Sequence, residues 1–172
     1  MIKVGKKVPT FKLQGYLKGN FDEFDLETKK GKWLVIFFYP MDFTFICPTE
    51  VTAISKHYDE FEKLNTEVWG ISCDSVYVHK AWEKELGELK YPLLSDNKKE
   101  VATMFGTLID DEGISLRATF VIDPDGVLKY HLVNDNNIGR NTQELVRVIS
   151  ALQTGELCPV DWNEGDSTLG KV

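Results

Sequence analysis

The chain has 172 residues, enough for one domain with a sizeable core. Its formal net charge of −7 provides no basic face for general nucleic-acid binding, and 42% hydrophobic with 27% charged residues is ordinary for a globular protein. No run approaches the ~20 apolar residues of a membrane span, and MIKVGKKVPTF lacks the apolar stretch of a signal peptide, so a cytoplasmic location away from membranes is expected. Short alternating runs in residues 1–30 predict an added hairpin. Trp33 to Phe38 (WLVIFF) is a continuous apolar run, the pattern of a strand buried on both faces of a sheet. Val51, Ile54, Tyr58, Phe61 and Leu64 recur at steps of three and four and predict a helix.

Glu67 to Ser72 (EVWGIS) reads as the next strand. Ser75 is a candidate cap for a helix reaching about Leu89, with Val78, Trp82 and Leu86 on one face. Tyr91 to Leu94 follows as a short strand and Lys98 to Phe105 as a short helix. Arg117–Ile122 and Val127–Val133 flank the turn sequence Asp123-Pro124-Asp125-Gly126, which predicts an antiparallel hairpin. Asn141 followed by Glu144 resembles a capping box opening a helix through Leu152, with Leu145, Val148, Ile149 and Leu152 buried and Gly155 as its stop. Residues 156–172 carry no periodicity and read as an extended tail. Parallel strands linked by helices, with an antiparallel pair appended, predict an α/β thioredoxin-like fold: a mixed central sheet flanked by helices, an N-terminal hairpin extension and a C-terminal tail. The expected division is a thioredoxin-like domain over residues 1–155 and a tail over residues 156–172.

There are three cysteines, Cys47, Cys73 and Cys158, and no C-x-x-C pair, which argues against a zinc site or a thioredoxin-type dithiol. Free or catalytic thiols are expected instead of a disulfide framework. Cys47 lies between an apolar strand and a helical pattern, where reactive groups collect in parallel α/β folds. Pro48 suits the first turn of a helix, whose free backbone N–H groups favour an anion. Ionisation alone has limited reach. A thiol of pKa about 8.5 is roughly 3% ionised at pH 7, so lowering it to about 6 gains about thirtyfold at most. Any larger acceleration requires donors aimed at the electrophile. Thr44 offers a hydroxyl and Arg117 a guanidinium fork. A small core cysteine, a capping threonine and a surface arginine are the alternatives.

The string Pro40-x-x-x-Thr44-x-x-Cys47 resembles the active-site signature of the peroxiredoxins. The fuller FYPMDFTFICPTE is similar to the typical two-cysteine group, in particular bacterial alkyl hydroperoxide reductase C components. The resemblance continues through ISCDSVYVHKAW, DEGISLRATFVIDPDG, Gly139-Arg140 and ELCPVDWNEG, so it spans essentially the whole chain. It implies that Cys47 is the peroxidatic cysteine, attacking peroxide and becoming a sulfenic acid. It further implies that Thr44 and Arg117 hold the peroxide, Pro40 shields the sulfur, and Glu50 and Arg140 orient the arginine. Cys158 would be the resolving cysteine, condensing with the sulfenic acid across a homodimer that assembles into a decamer-type ring.

The resemblance also implies no metal, haem or flavin, with electrons supplied by thioredoxin or a flavoprotein disulfide reductase. The overoxidation-prone group carries Gly-Gly-Leu-Gly and a Tyr-Phe ending. This chain has Asp111-Glu112-Gly113-Ile114 and ends Gly170-Lys171-Val172. Easy local unfolding and resistance to overoxidation are therefore expected. Cys73 is expected to be structural. His79 is read as either an interface or a plain surface residue, and Phe43, Phe45, Trp82 and Trp162 as core or interface packing. A one-cysteine mechanism and a redox-gated chaperone or peroxide sensor are the competing functional readings.

Overall fold

In the computed structural model, which describes residues 2–171, the strands are β1 (Lys12–Leu17), β2 (Asn20–Asp25), β3 (Trp33–Phe38), β4 (Thr66–Ser72), β5 (Leu93–Ser95), β6 (Leu108–Ile109), β7 (Ile114–Ser115), β8 (Arg117–Ile122) and β9 (Leu128–Asn134). The helices are α1 (Cys47–Lys56), α2 (Tyr58–Lys63), α3 (Val76–Leu86), α4 (Glu100–Phe105) and α5 (Thr142–Thr154). The chain divides into two compact units, one ending at Arg140 and the other beginning at Asn141.

The first unit is built on a seven-stranded sheet of order β2-β1-β5-β4-β3-β8-β9. Strands β3, β4 and β5 run parallel, and β8 pairs antiparallel with β3. Residues of β3 alternate between the two faces of the sheet. Leu34, Ile36 and Phe38 join Ala118, Phe120 and Ile122 of β8 in one core, with Val101, Ala102 and Phe105 of α4. On the other face the Phe37 ring lies 5.7 Å from Tyr91, whose hydroxyl donates to the Val51 carbonyl of α1. Helices thus cover both faces, which is why β3 reads as an unbroken apolar run. Gly70 on β4 is also fixed by packing, since a Cβ there would lie 2.8 Å from the Phe37 ring and 2.9 Å from Leu93.

The predicted N-terminal hairpin forms, and it is more than an appendage: β1 pairs antiparallel with β5 and extends the sheet. The helix expected over 51–64 is two helices, broken at His57. Ser75 caps α3 as expected, accepting from the Val78 N–H. Its fully buried residues are His79 and Trp82, with Val78 and Leu86 only half-buried. His79 is 0% exposed, which corrects the surface reading of that residue. The start of α4 is capped from a distance: Asp96 accepts from the N–H groups of Val101 and Ala102, while Lys99 takes a left-handed conformation. The Arg117–Ile122 hairpin forms as predicted, with an irregularity between Val121 and Ile122.

The second unit contains α5 and the segment after it. Asn141 caps α5 by accepting from the Glu144 N–H, but the Glu144 carboxylate pairs with Arg147. Gly155 ends the helix in a left-handed conformation, at a φ of 64°. The tail is not extended. Leu157 N–H donates to Gly170 O and Leu169 N–H to Leu157 O, closing a loop over Trp162, whose carbonyl accepts from Arg147. Backbone pairing and single side-chain contacts build this loop without any apolar period, so the sequence carries no periodic signal for it.

Candidate active site

Register brings the site together. Ala118 pairs with Phe38, so antiparallel β8 begins at the carboxyl end of β3 and delivers Arg117 beside the segment that leaves it. That segment runs through buried Pro40 to α1, which opens at Cys47 with Pro48 in its first turn. Cys47 is 0% exposed, and Arg117 Nη1 lies 3.3 Å from its sulfur.

Glu50 and Asn136 hold Arg117 by side chain and backbone. Its Nη1 also donates to Glu50 Oε2 at 2.8 Å, its Nε to the Asn136 carbonyl at 2.9 Å, and its backbone N–H to Asn136 Oδ1. Glu50 stands one turn along α1 from Cys47 and in turn receives Arg140: Nε to Oε1 at 2.9 Å, Nη2 to Oε2 at 2.7 Å, and the backbone N–H to Oε1. Arg140 Nη1 donates to the carbonyls of Phe38 and Ala118, the last residue of β3 and its partner on β8. Its guanidinium sits 5.1 Å from the Phe37 ring centroid. One buried carboxylate therefore carries two guanidinium groups. Burial opposes the ionisation of Glu50, but hydrogen bonds and charge from Arg140, with charge from Arg117, outweigh it and hold the carboxyl below its ordinary value.

The geometry joins Cys47, Glu50, Arg117 and Arg140 into one network. Thr44 stands beside it, half-buried, with its hydroxyl donating to the Met41 carbonyl at 2.9 Å. Cys158 belongs to the second unit, where its sulfur is 3.7 Å from the Ala151 carbonyl. Phe43 and Phe45 flank the Cys47 turn as surface residues of the single chain, Phe45 at 94% exposure, whereas Trp82 and Trp162 are buried.

Three features escaped the sequence reading. Asn136 sits in a polar run (NDNN) indistinguishable from an ordinary loop. The carbonyls that receive Arg140 carry no residue-type signal at all. The third is a fully buried chain beside the same segment: Tyr39 donates to Asp42 Oδ1 at 2.8 Å, Asp42 Oδ2 lies 2.7 Å from His79 Nδ1, and His79 Nε2 lies 3.2 Å from the Leu94 carbonyl. Burial pushes Asp42 up, against the downward pull of His79 and Tyr39. Asp74 ties this chain to the sheet by accepting from the Asp42 N–H and the Ser72 hydroxyl.

Burial, reinforced by Asp96, pushes the Cys73 thiol up to about 11. At pH 7.5 about one such thiol in several thousand is ionised. Cys73 is therefore expected to stay unmodified while iodoacetamide consumes free cysteine at that pH, and Cys73→Ser to keep peroxide turnover within about twofold. Rapid alkylation at Cys73 in the native protein would contradict this.

A buried cysteine at a helix start, an arginine Nη1 beside its sulfur and a thioredoxin-like sheet define a thiol oxidoreductase without a vicinal dithiol. Residues 4–131 match the model of the AhpC/TSA family. Over 96% of its length the chain is 50% identical to a protein named putative peroxiredoxin YkuU from Bacillus subtilis, covering 97% of that protein. The reduced 2-Cys peroxiredoxin of Plasmodium vivax superposes with a TM-score of 0.93 at 38% identity, covering 96% of this chain and 91% of that one. Enterococcus faecalis AhpC superposes with a TM-score of 0.88 at 40% identity, covering 92% and 100%. The chain belongs to the AhpC/TSA family, the peroxiredoxins, oxidoreductases that take peroxide as acceptor. Among the described residues, no helix is long and apolar enough to cross a membrane.

Proposed function

We propose that this peroxiredoxin is a two-cysteine thiol peroxidase that reduces hydrogen peroxide and organic hydroperoxides to water and alcohols, serving antioxidant defence and redox homeostasis. The observation that carries the reading is the Arg117 guanidinium 3.3 Å from the buried Cys47 sulfur, fixed there by Glu50 and Asn136. The Cys47 thiolate attacks one peroxide oxygen. A sulfur–oxygen bond forms as the oxygen–oxygen bond breaks, so sulfur loses two electrons and the peroxide gains them. The leaving oxygen takes a proton from solvent and departs as water or alcohol, and Cys47 is left as a sulfenic acid.

Arg117 and the Thr44 hydroxyl, turned from Met41, bind the peroxide and stabilise the charge that develops on the departing oxygen. Pro40 walls the sulfur from bulk water. Glu50 and Arg140 hold Arg117 in place, acting through it. Cys158 then condenses with the sulfenic acid. Cys47 is fully buried in the first turn of α1 and a disulfide needs Cα atoms within about 7 Å, so that turn unwinds and the tail over 156–172 is displaced in each cycle. The resolving thiol comes from a second subunit, giving a homodimer that assembles into a decamer-type ring, to which exposed Phe43 and Phe45 offer apolar contact area. Thioredoxin or a flavoprotein disulfide reductase reduces the disulfide. Three free cysteines suit the reducing cytoplasm.

The test is coupled peroxide turnover on the wild type and Cys158→Ser. Sustained turnover is expected in the wild type, whereas the variant should consume about one peroxide per Cys47 and stop. Undiminished turnover in Cys158→Ser would favour a one-cysteine mechanism. No rapid catalytic peroxide loss in the wild type would favour a sensor or chaperone.

A further inference from the structure

Thr154 is the last residue of α5, and its hydroxyl is committed on both sides: it donates to the Ala151 carbonyl at 2.8 Å and accepts from the Glu156 N–H at 3.1 Å. The chain turns at Gly155 and brings the Cys158 sulfur back to 3.5 Å from that hydroxyl and 3.7 Å from the same carbonyl. With the hydroxyl proton already given to Ala151, both oxygens facing the sulfur are acceptors, and the Cys158 S–H is the donor. The neighbouring residue is pinned as well, because Leu157 pairs with Leu169 and Gly170 through the backbone. Cys158 therefore rests in a built seat at the carboxyl end of α5.

We propose that Thr154 is the positioning residue of Cys158: it completes a resting seat that the thiol must leave before the disulfide can form. The inference rests on the reading of Cys158 as the resolving cysteine. In that step the Cys158 sulfur bonds to the Cys47 sulfur as the sulfenic S–O bond breaks. The sulfenic hydroxyl and the thiol proton leave as water, and the two sulfurs end at the same oxidation level. Once bonded to Cys47 the sulfur has no proton to donate to Ala151, so the seat must empty as the disulfide forms, and its stability enters the rate of that step. Removing the hydroxyl loosens the seat and speeds the step.

Rapid mixing of the reduced full-length protein with hydrogen peroxide separates the peroxide-dependent oxidation of Cys47 from the peroxide-independent disulfide step. Thr154→Val is expected to raise the second rate about three- to tenfold and leave the first within twofold. Thr154→Ser, which restores the hydroxyl, should return both to wild type. A disulfide step in Thr154→Val that is unchanged or slower overturns the proposal. Absence of any Cys158 disulfide in the wild type instead overturns the resolving role on which it stands. If Thr154→Val does not fold, the wild type decides by itself: Cys158, followed by peptide mass, should react with N-ethylmaleimide at least tenfold more slowly than free cysteine, and an equal rate overturns the seat.

Discussion

Arg117→Met is expected to slow the reaction of Cys47 with peroxide by about 10²–10³-fold, the usual cost of removing one preorganised donor from a developing oxyanion. The size follows from where the side chain sits. Arg117 is buried, so its guanidinium acts in a low-dielectric setting, and Glu50 and Asn136 fix the residue before substrate arrives through three hydrogen bonds, two from the guanidinium and one from the backbone N–H. Methionine fills the volume but offers no donor to sulfur or peroxide. The fold should survive, because Glu50 keeps its two-point pair with Arg140. Arg117→Lys should recover little of the rate, since a single ammonium cannot serve Asn136, Glu50 and the sulfur together. Stopped-flow oxidation at several peroxide concentrations checks both, and a loss of less than about tenfold in Arg117→Met would remove Arg117 from the reaction centre.

The second large effect concerns stability. Glu50→Ala leaves two buried guanidinium groups facing each other without a counter-charge. Breaking a buried ion pair from one side costs about 3–5 kcal/mol, a large share of the roughly 5–15 kcal/mol that holds a domain folded. For a chain of this size that is a fall in Tm on the order of 10 °C. The pH dependence has a definite sign. The folded-state pKa of Glu50 is depressed, so its contribution is present above the unfolded value of about 4.3 and is lost as pH falls through the lower folded value. The stability gap between wild type and Glu50→Gln should therefore be full at pH 7 and shrink as the solution is acidified below about pH 4. Calorimetry across that range reads it, and a gap that widens in acid would show that Glu50 is not the ionised hub of this network.

The sequence was most legible where burial is two-sided. WLVIFF became β3 with its predicted ends, because a strand covered on both faces favours an unbroken apolar run, and RATFVI became β8 with Arg117 and Thr119 buried beside its apolar residues. It was less legible where one periodic stripe hides a break, as at His57 between α1 and α2. It was silent where single polar contacts decide the conformation: the distant Asp96 cap of α4, the two-residue strands β6 and β7, and the loop closed by Leu157 and Gly170. The surface reading of His79 failed for the same reason. Its burial depends on Asp42 and the Leu94 carbonyl, partners far away in sequence that no spacing announces.

At the candidate site, the string around Cys47 and the isolated Arg117 and Arg140 come together in the structure. The structure adds the order within it. Arg140 touches Glu50 and two strand carbonyls, Glu50 touches both arginines, and only Arg117 reaches the sulfur. Asn136, which holds the Arg117 side chain and backbone, completes that order from a loop with no distinguishing pattern.

The central claim is that Cys47 is oxidised by peroxide and is then joined by Cys158 of another subunit. The most direct measurement is a nonreducing gel with peptide mapping after one equivalent of hydrogen peroxide, on the wild type, Cys47→Ser and Cys158→Ser. A covalent dimer linked through Cys47 and Cys158 is predicted in the wild type, and no covalent dimer in either variant. A linked dimer that persists in both variants, or a wild-type disulfide that maps to Cys73, would contradict it.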